Sequence, residues 1–145
     1  MVAQNNQTPS PESEVIHHLS LGHTAFEFIR KGIQTVEGRA PSPGSSDPDK
    51  DYEKYSIGDI IVFKDTENSN TLKVKVSRIQ HFNSLEEMFA VDWTHSAVPE
   101  AKSFSDWELD YYGIPGYEKR IKDNGIWAIG LELVDRKESG ARVES

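Results

Sequence analysis

Glu37 and Arg39 stand two residues apart in Gln34-Thr35-Val36-Glu37-Gly38-Arg39, the spacing at which a β-strand points two side chains to one face. A guanidinium grips a phosphate through two parallel hydrogen bonds, while a carboxylate accepts from an exocyclic amine or polarises a ribose hydroxyl. Together the two groups suit a nucleotide. Strict alternation places Thr35, Glu37 and Arg39 on one face and Gln34, Val36 and Gly38 on the other. The plainer alternative is that Glu37 and Arg39 pair only with each other on the surface, an interaction of about 0–1 kcal/mol.

Other groups extend the same chemistry. Lys73 and Lys75, with Lys64 and Arg78 nearby in sequence, form a candidate basic stripe that would steer phosphate; a solvated strand face is the alternative. Tyr111, Tyr112 and Tyr117 are read as exposed rings able to stack unpaired bases, or else as anchors of loops onto the core. The histidines at 17, 18, 23, 81 and 95 lack the i,i+4 pair of a helical zinc site, so no metal site is assigned. His23, just before a helix, is a candidate general acid or base, or simply a turn histidine. With no cysteine in the chain, disulfides, thiolate metal sites and a cysteine nucleophile are excluded. No nucleophile-elbow, phosphate-loop or dinucleotide fingerprint is present.

The elements that must hold these groups follow from local pattern. Residues 15–21 have the β-branched start and alternation of a strand ended by Gly22. Thr24 and Glu27 are spaced as a capping box for a helix that Gly32 closes. Residues 34–39 read as a short strand, and 60–64 as an apolar strand after the Gly58-Asp59 turn. In 72–76, Leu72, Val74 and Val76 alternate with Lys73, Lys75 and Ser77, the clearest strand in the chain. Ser84–Glu87 and Ser105–Glu108 spacings open two short helices. Residues 126–134 form a strand expected at the centre of the sheet.

The 145 residues suit one domain, and 36% hydrophobic with 28% charged residues is ordinary for a globular protein. Polar composition marks 1–14 and 136–145 as disordered tails around a domain at 15–135, with a mobile Pro-, Gly- and Ser-rich loop at 40–53. No apolar run approaches the ~20 residues of a membrane span, and no signal peptide opens the chain. The expectation is an intracellular protein, cytoplasmic or nuclear, with no membrane partner. Formal charge is −8 overall, but residues 54–82 carry +2 and residues 84–112 carry −6. The strand-rich stretch is mildly basic beside an acidic helical insertion.

Taken in order, these segments resemble the ASCH family. The resemblance rests on a helix ending in Gly32 and running into Gln34-Thr35-Val36-Glu37-Gly38-Arg39, the Gly58-Asp59 turn before an apolar strand, the 72–76 strand, Phe82 followed by the Ser84 helix, and Gly125 before the last strand. It implies an α+β fold, a small PUA-like open mixed β-barrel with short helices packed at its ends. It also implies a cleft between the first helix, the Glu37 strand and the helical insertion, and action on RNA or nucleosides.

The family's amidohydrolases are understood to use a lysine where this chain has Gln34 and a threonine nucleophile three residues on, where it has Glu37. An amide has no useful pKa near neutrality and a carboxylate is no hydroxyl nucleophile, so that mechanism does not transfer. The leading expectation is RNA or nucleotide binding through Glu37 and Arg39, supported by Gln34, Thr35, Lys73, Lys75 and Tyr117. The alternative is a hydrolase on RNA or modified nucleosides in which Glu37, with His23 or Glu86, activates water. No cofactor is called for beyond a divalent metal if that chemistry is ribonucleolytic. A third is a protein-interaction module using the acidic insertion.

Overall fold

A computed structural model of the chain describes residues 15–134. Both predicted tails lie outside the described residues. Five strands, β1 (Ile16–Leu21), β2 (Val36–Arg39), β3 (Ile60–Asp65), β4 (Thr71–Phe82) and β5 (Ile126–Leu133), form one sheet in the order β1-β3-β4-β5-β2. β1 runs parallel to β3 and every other pairing is antiparallel. The sheet curls into an open, mixed half-barrel of the α+β class, with β1 and β2 as its two edges.

β5 is an interior strand but not the central one: it lies between β4, which takes the centre, and the edge strand β2, and both of its faces are apolar. Ile129 and Leu131 turn into the barrel against Leu19, Phe26, Ile61, Phe63, Val74 and Val76. Ile126 and Ala128 turn outward against Trp107, Leu85, Met88 and Ile121 of the helical layer. A strand buried on both sides reads as a near-continuous apolar run, as this one does. β4 is longer than its clear alternation predicted, because a register shift between Val76 and Arg78 inserts Ser77 as an extra residue. The pleat changes phase there, so Val76 enters the barrel core while Phe82 enters the helix-side core.

Helix α1 (His23–Arg30) buries Phe26 and Ile29 against the barrel. It begins two residues earlier than the Thr24 box requires, with Gly22 as a cap lacking a side-chain bond, and Glu27 is instead held by Arg30. Gly32, at φ +80°, closes it as expected: its N–H donates to the Ile29 carbonyl and the Ile33 N–H to that of Phe28.

The Ser84 box opens α2 (Leu85–Phe89), the Ser84 Oγ accepting from the Glu87 N–H at 3.1 Å. Helix α3 (Phe104–Tyr112) starts two residues before the predicted box. Ser103 accepts from the Asp106 N–H, and the Asp106 carboxylate accepts from Lys102 N–H at 2.7 Å. The earlier start brings Phe104 edge-on to Phe89. A 3-10 helix (Asp92–Ala97) and α4 (Tyr117–Asn124) complete the helical layer. The 40–53 segment is less irregular than its composition suggested, since single 3-10 turns form at Pro48–Lys50 and Tyr52–Lys54, and Tyr52 is buried in the barrel core. Among the described residues no helix is long and apolar enough to cross a membrane.

Candidate functional site

The open seam between the edge strands β1 and β2 is where the sheet needs something other than backbone to hold it. Arg39 supplies it. Its Nε donates to Glu37 Oε2 at 2.7 Å on the same strand, and Nη2 donates across the gap to the Ser20 carbonyl of β1, also at 2.7 Å. Gln34, just before β2, donates from Nε2 to the Val36 carbonyl at 2.9 Å and to Glu37 Oε1 at 3.3 Å. Both side chains of the ion pair are nearly withdrawn from solvent, 13% exposed for Arg39 and 11% for Glu37. The surface pairing weighed from sequence is thereby replaced by a buried one.

These three residues form the floor of a cleft of about 790 Å³ between the start of α1 and the helical layer. Phe28 and Leu21 give one wall, Val98, Leu109 and Tyr111 the other. Tyr111 lies on β2 where Gly38 has no side chain: a Cβ there would run into the Tyr111 hydroxyl and ring. An isolated glycine inside a strand is the sequence signal for such a close approach, and it is the signal that could have placed Tyr111 on β2 and not at the surface. Leu109, 76% exposed, and Ile114 leave an apolar lip at the mouth.

The cleft is acidic. Glu37, Glu100, Asp106 and Asp110 line it with Arg39 as the sole lining arginine or lysine. Burial pushes the Glu37 carboxyl above the ordinary carboxylate range, against the pull of Arg39 and the Gln34 amide. Burial also raises Asp110, and the Tyr111 hydroxyl is driven far up by burial and by the neighbouring Glu37 charge. The Glu37 shift carries a pH prediction. Between its unfolded and its raised native pKa, the folded protein holds a proton the unfolded chain has released, so stability falls as pH rises across that interval. Urea unfolding from pH 4 to 8 is expected to show this decline in the wild type and a smaller one in Glu37→Gln; equal slopes would refute the assignment.

The remaining candidates fall elsewhere. Thr35 lies outside the cleft: its N–H donates to Ser96 Oγ at 3.0 Å and the two hydroxyls are 2.9 Å apart. Regular alternation holds only from Val36, where β2 begins, so Gln34 and not Thr35 joins Glu37. Tyr117 lines the cleft but is buried, with the Arg120 guanidinium 4.7 Å from its ring centre. Arg120 in turn donates to the Ala40 and Pro41 carbonyls, tying α4 to the exit of β2. The tyrosines read as exposed are not: Tyr111 is buried beneath Trp107, and Tyr112 is half-buried beside Lys122. Lys73, Lys75, Lys64 and Arg78 do not line the cleft, and Lys75 faces Glu132 across the sheet. Glu86 is exposed on α2, away from the cleft. His23 also misses it, donating from Nδ1 to the buried Asp65 at 2.7 Å; that hydrogen bond and the charges of Glu67, Asp65 and Glu27 raise its pKa.

No protein-family model and no curated protein matches the chain. Solved structures do. The crystal structure of hypothetical protein PH0355 aligns with a TM-score of 0.67 and 28% identity over 83% of this chain and all of its own. The solution structure of protein PF0455 from Pyrococcus furiosus aligns with a TM-score of 0.61 and 24% identity over 83% of this chain and 99% of its own. The ASCH domain from Lactobacillus crispatus JV V101 aligns with a TM-score of 0.55 over 81% of this chain and 79% of its own, at 7% identity. The chain has the fold of an ASCH domain.

Proposed function

We propose that the cleft binds a nucleobase or nucleoside, free or as one unpaired base of an RNA, with Glu37 and Gln34 reading its hydrogen-bonding edge. The observation that carries this is a buried carboxylate at the floor of a cleft whose rim is also acidic. A carboxylate accepts from the exocyclic and ring N–H groups of a base, and the aromatic walls of Phe28 and Tyr111 suit its flat faces. Arg39 spends two donors on Glu37 and Ser20, so it grips a phosphate poorly. Glu100, Asp106 and Asp110 repel one. This reading therefore puts base recognition at Glu37 ahead of phosphate recognition by Arg39.

A thermal-shift comparison tests this. Nucleosides and free bases at about ten times their Kd are expected to stabilise the protein by roughly 1.4 kcal/mol, a few degrees in Tm, because ligand binding to the folded state adds RT ln(1 + [L]/Kd). The matching 5′-phosphates should stabilise it less. Equal or stronger stabilisation by the phosphates would overturn the reading, as would no response to any base.

A second reading, hydrolysis of a bound modified nucleoside or RNA, is favoured by one observation. Burial raises the Glu37 carboxyl in the direction that suits a general acid or base near neutral pH. Cleavage of a labelled substrate by the wild type that disappears in Glu37→Gln even at saturating substrate would select it.

A further inference from the structure

We propose that His23, Glu27 and Asp65 form a binding site for one divalent transition-metal ion of the manganese-to-zinc series. The site is separate from the cleft and independent of what the cleft binds. His23 and Glu27 are four residues apart on α1, the spacing that stacks two side chains on one helix face. Asp65 ends β3 directly opposite them, and one donor atom from each of the three residues lies within 4.8 Å of the others. Ions of this series hold nitrogen and oxygen donors at about 2.0–2.2 Å, so small side-chain movements close the set around one ion.

Asp65 is what makes the cluster more than surface charge. It is wholly buried, and its carboxylate is aimed: Oδ1 accepts from the Glu67 N–H at 2.9 Å, which leaves Oδ2 facing His23. Hydrogen bonds that orient a ligating carboxylate in this way are a regular feature of metal sites. The Glu67 carboxylate, 4.0 Å from His23 Nδ1, is placed to become a fourth ligand. One imidazole with two or three carboxylates balances a double positive charge. The imidazole selects against calcium and magnesium, and the absence of thiolates selects against copper(I).

Two interactions compete. A proton now sits between His23 Nδ1 and Asp65 Oδ2, and the ion takes its place. Arg30 holds Glu27 from the same helix, but this is a solvent-facing pair that side-chain rotation releases. The ion would act as a positioning element. It clamps the first turn of α1 to β3, and the residues on either side of His23, Gly22 and Thr24, line the cleft. A sequence reading centred on histidine pairs passes over this site because it has one histidine and draws its third ligand from a distant strand.

The test uses the full chain stripped of metal with a chelator. Substoichiometric Mn²⁺ is expected to broaden the amide resonances of His23, Glu27, Asp65 and Glu67 before any others. Zn²⁺ or Co²⁺ titration should show one equivalent bound, with affinity reduced roughly tenfold or more by His23→Gln and by Asp65→Asn. His23 is 41% exposed, so His23→Gln decides the question even where loss of the buried Asp65 charge perturbs folding. Binding unchanged by His23→Gln overturns the proposal. So does broadening centred on Glu100, Asp106 and Asp110, or no binding at millimolar ion.

Discussion

Arg39→Met is expected to lower stability by about 3–5 kcal/mol, on the order of 10–20 °C in Tm, because it strands the Glu37 carboxylate without its partner in a buried site. The same substitution removes the bond from Arg39 to the Ser20 carbonyl that bridges the sheet edges. Combining it with Glu37→Gln should restore most of the loss, since a neutral pair of similar volume replaces two buried charges. Urea denaturation of the two single variants and the double variant measures the coupling directly. A single variant costing under about 1 kcal/mol, or a double variant no better than Arg39→Met, would show that the pair is not the buried unit described. The double variant also separates folding from recognition, because it should fold while losing the carboxylate that we propose reads the base.

Gly38→Ala is the second large effect. The added methyl meets the Tyr111 hydroxyl first and the ring carbon that bears it next, and Tyr111, held edge-on by Trp107 on one side, can give way only toward the cleft that it lines. Overpacking of this kind typically costs 1–3 kcal/mol. Removing the hydroxyl relieves the worst contact, so Gly38→Ala should be milder when introduced beside Tyr111→Phe than in the wild type. Thermal melts of the four proteins test this, and strictly additive effects would exclude the contact as the cause. A displaced Tyr111 also reshapes the cleft wall, so nucleoside affinity should fall in Gly38→Ala by more than the stability loss explains.

Most of the fold could be read from local chemistry. Alternation marked the start of β4, the apolar run marked β5 as an interior strand though not the central one, and Gly32 marked the end of α1. Capping was less secure where two boxes overlap: Ser103 with Asp106 and Ser105 with Glu108 have the same spacing, and only the packing of Phe104 on Phe89 decides between them. The bulge at Ser77 leaves no local signature, so β4 was foreseen only up to it. At the site, Glu37 and Arg39 were paired by type and spacing, whereas Gln34, which strict alternation put on the other face, entered through the family resemblance; the burial of none of them was legible. Burial depends on α1 and the helical layer closing over β2 from far along the chain. The same holds for the tyrosines, whose amphipathic rings suit the surface and the core equally.

β1 finds its partner only when β3 exists, and β2 waits for β5, the last strand of the described chain. During synthesis the first two strands therefore emerge with no neighbour to pair with. Two pairings join consecutive strands: β3–β4 is a hairpin closed by a short turn, and β4–β5 spans the whole helical insertion. The floor of the cleft, on β2, therefore needs the most distant pairing in the sheet. Such non-local pairing slows folding and leaves strand edges open in the interim. In a growing chain β1 can pair once residues 60–65 have been made, whereas β2, the strand that carries Glu37 and Arg39, has no sheet neighbour until residues 127–130 follow.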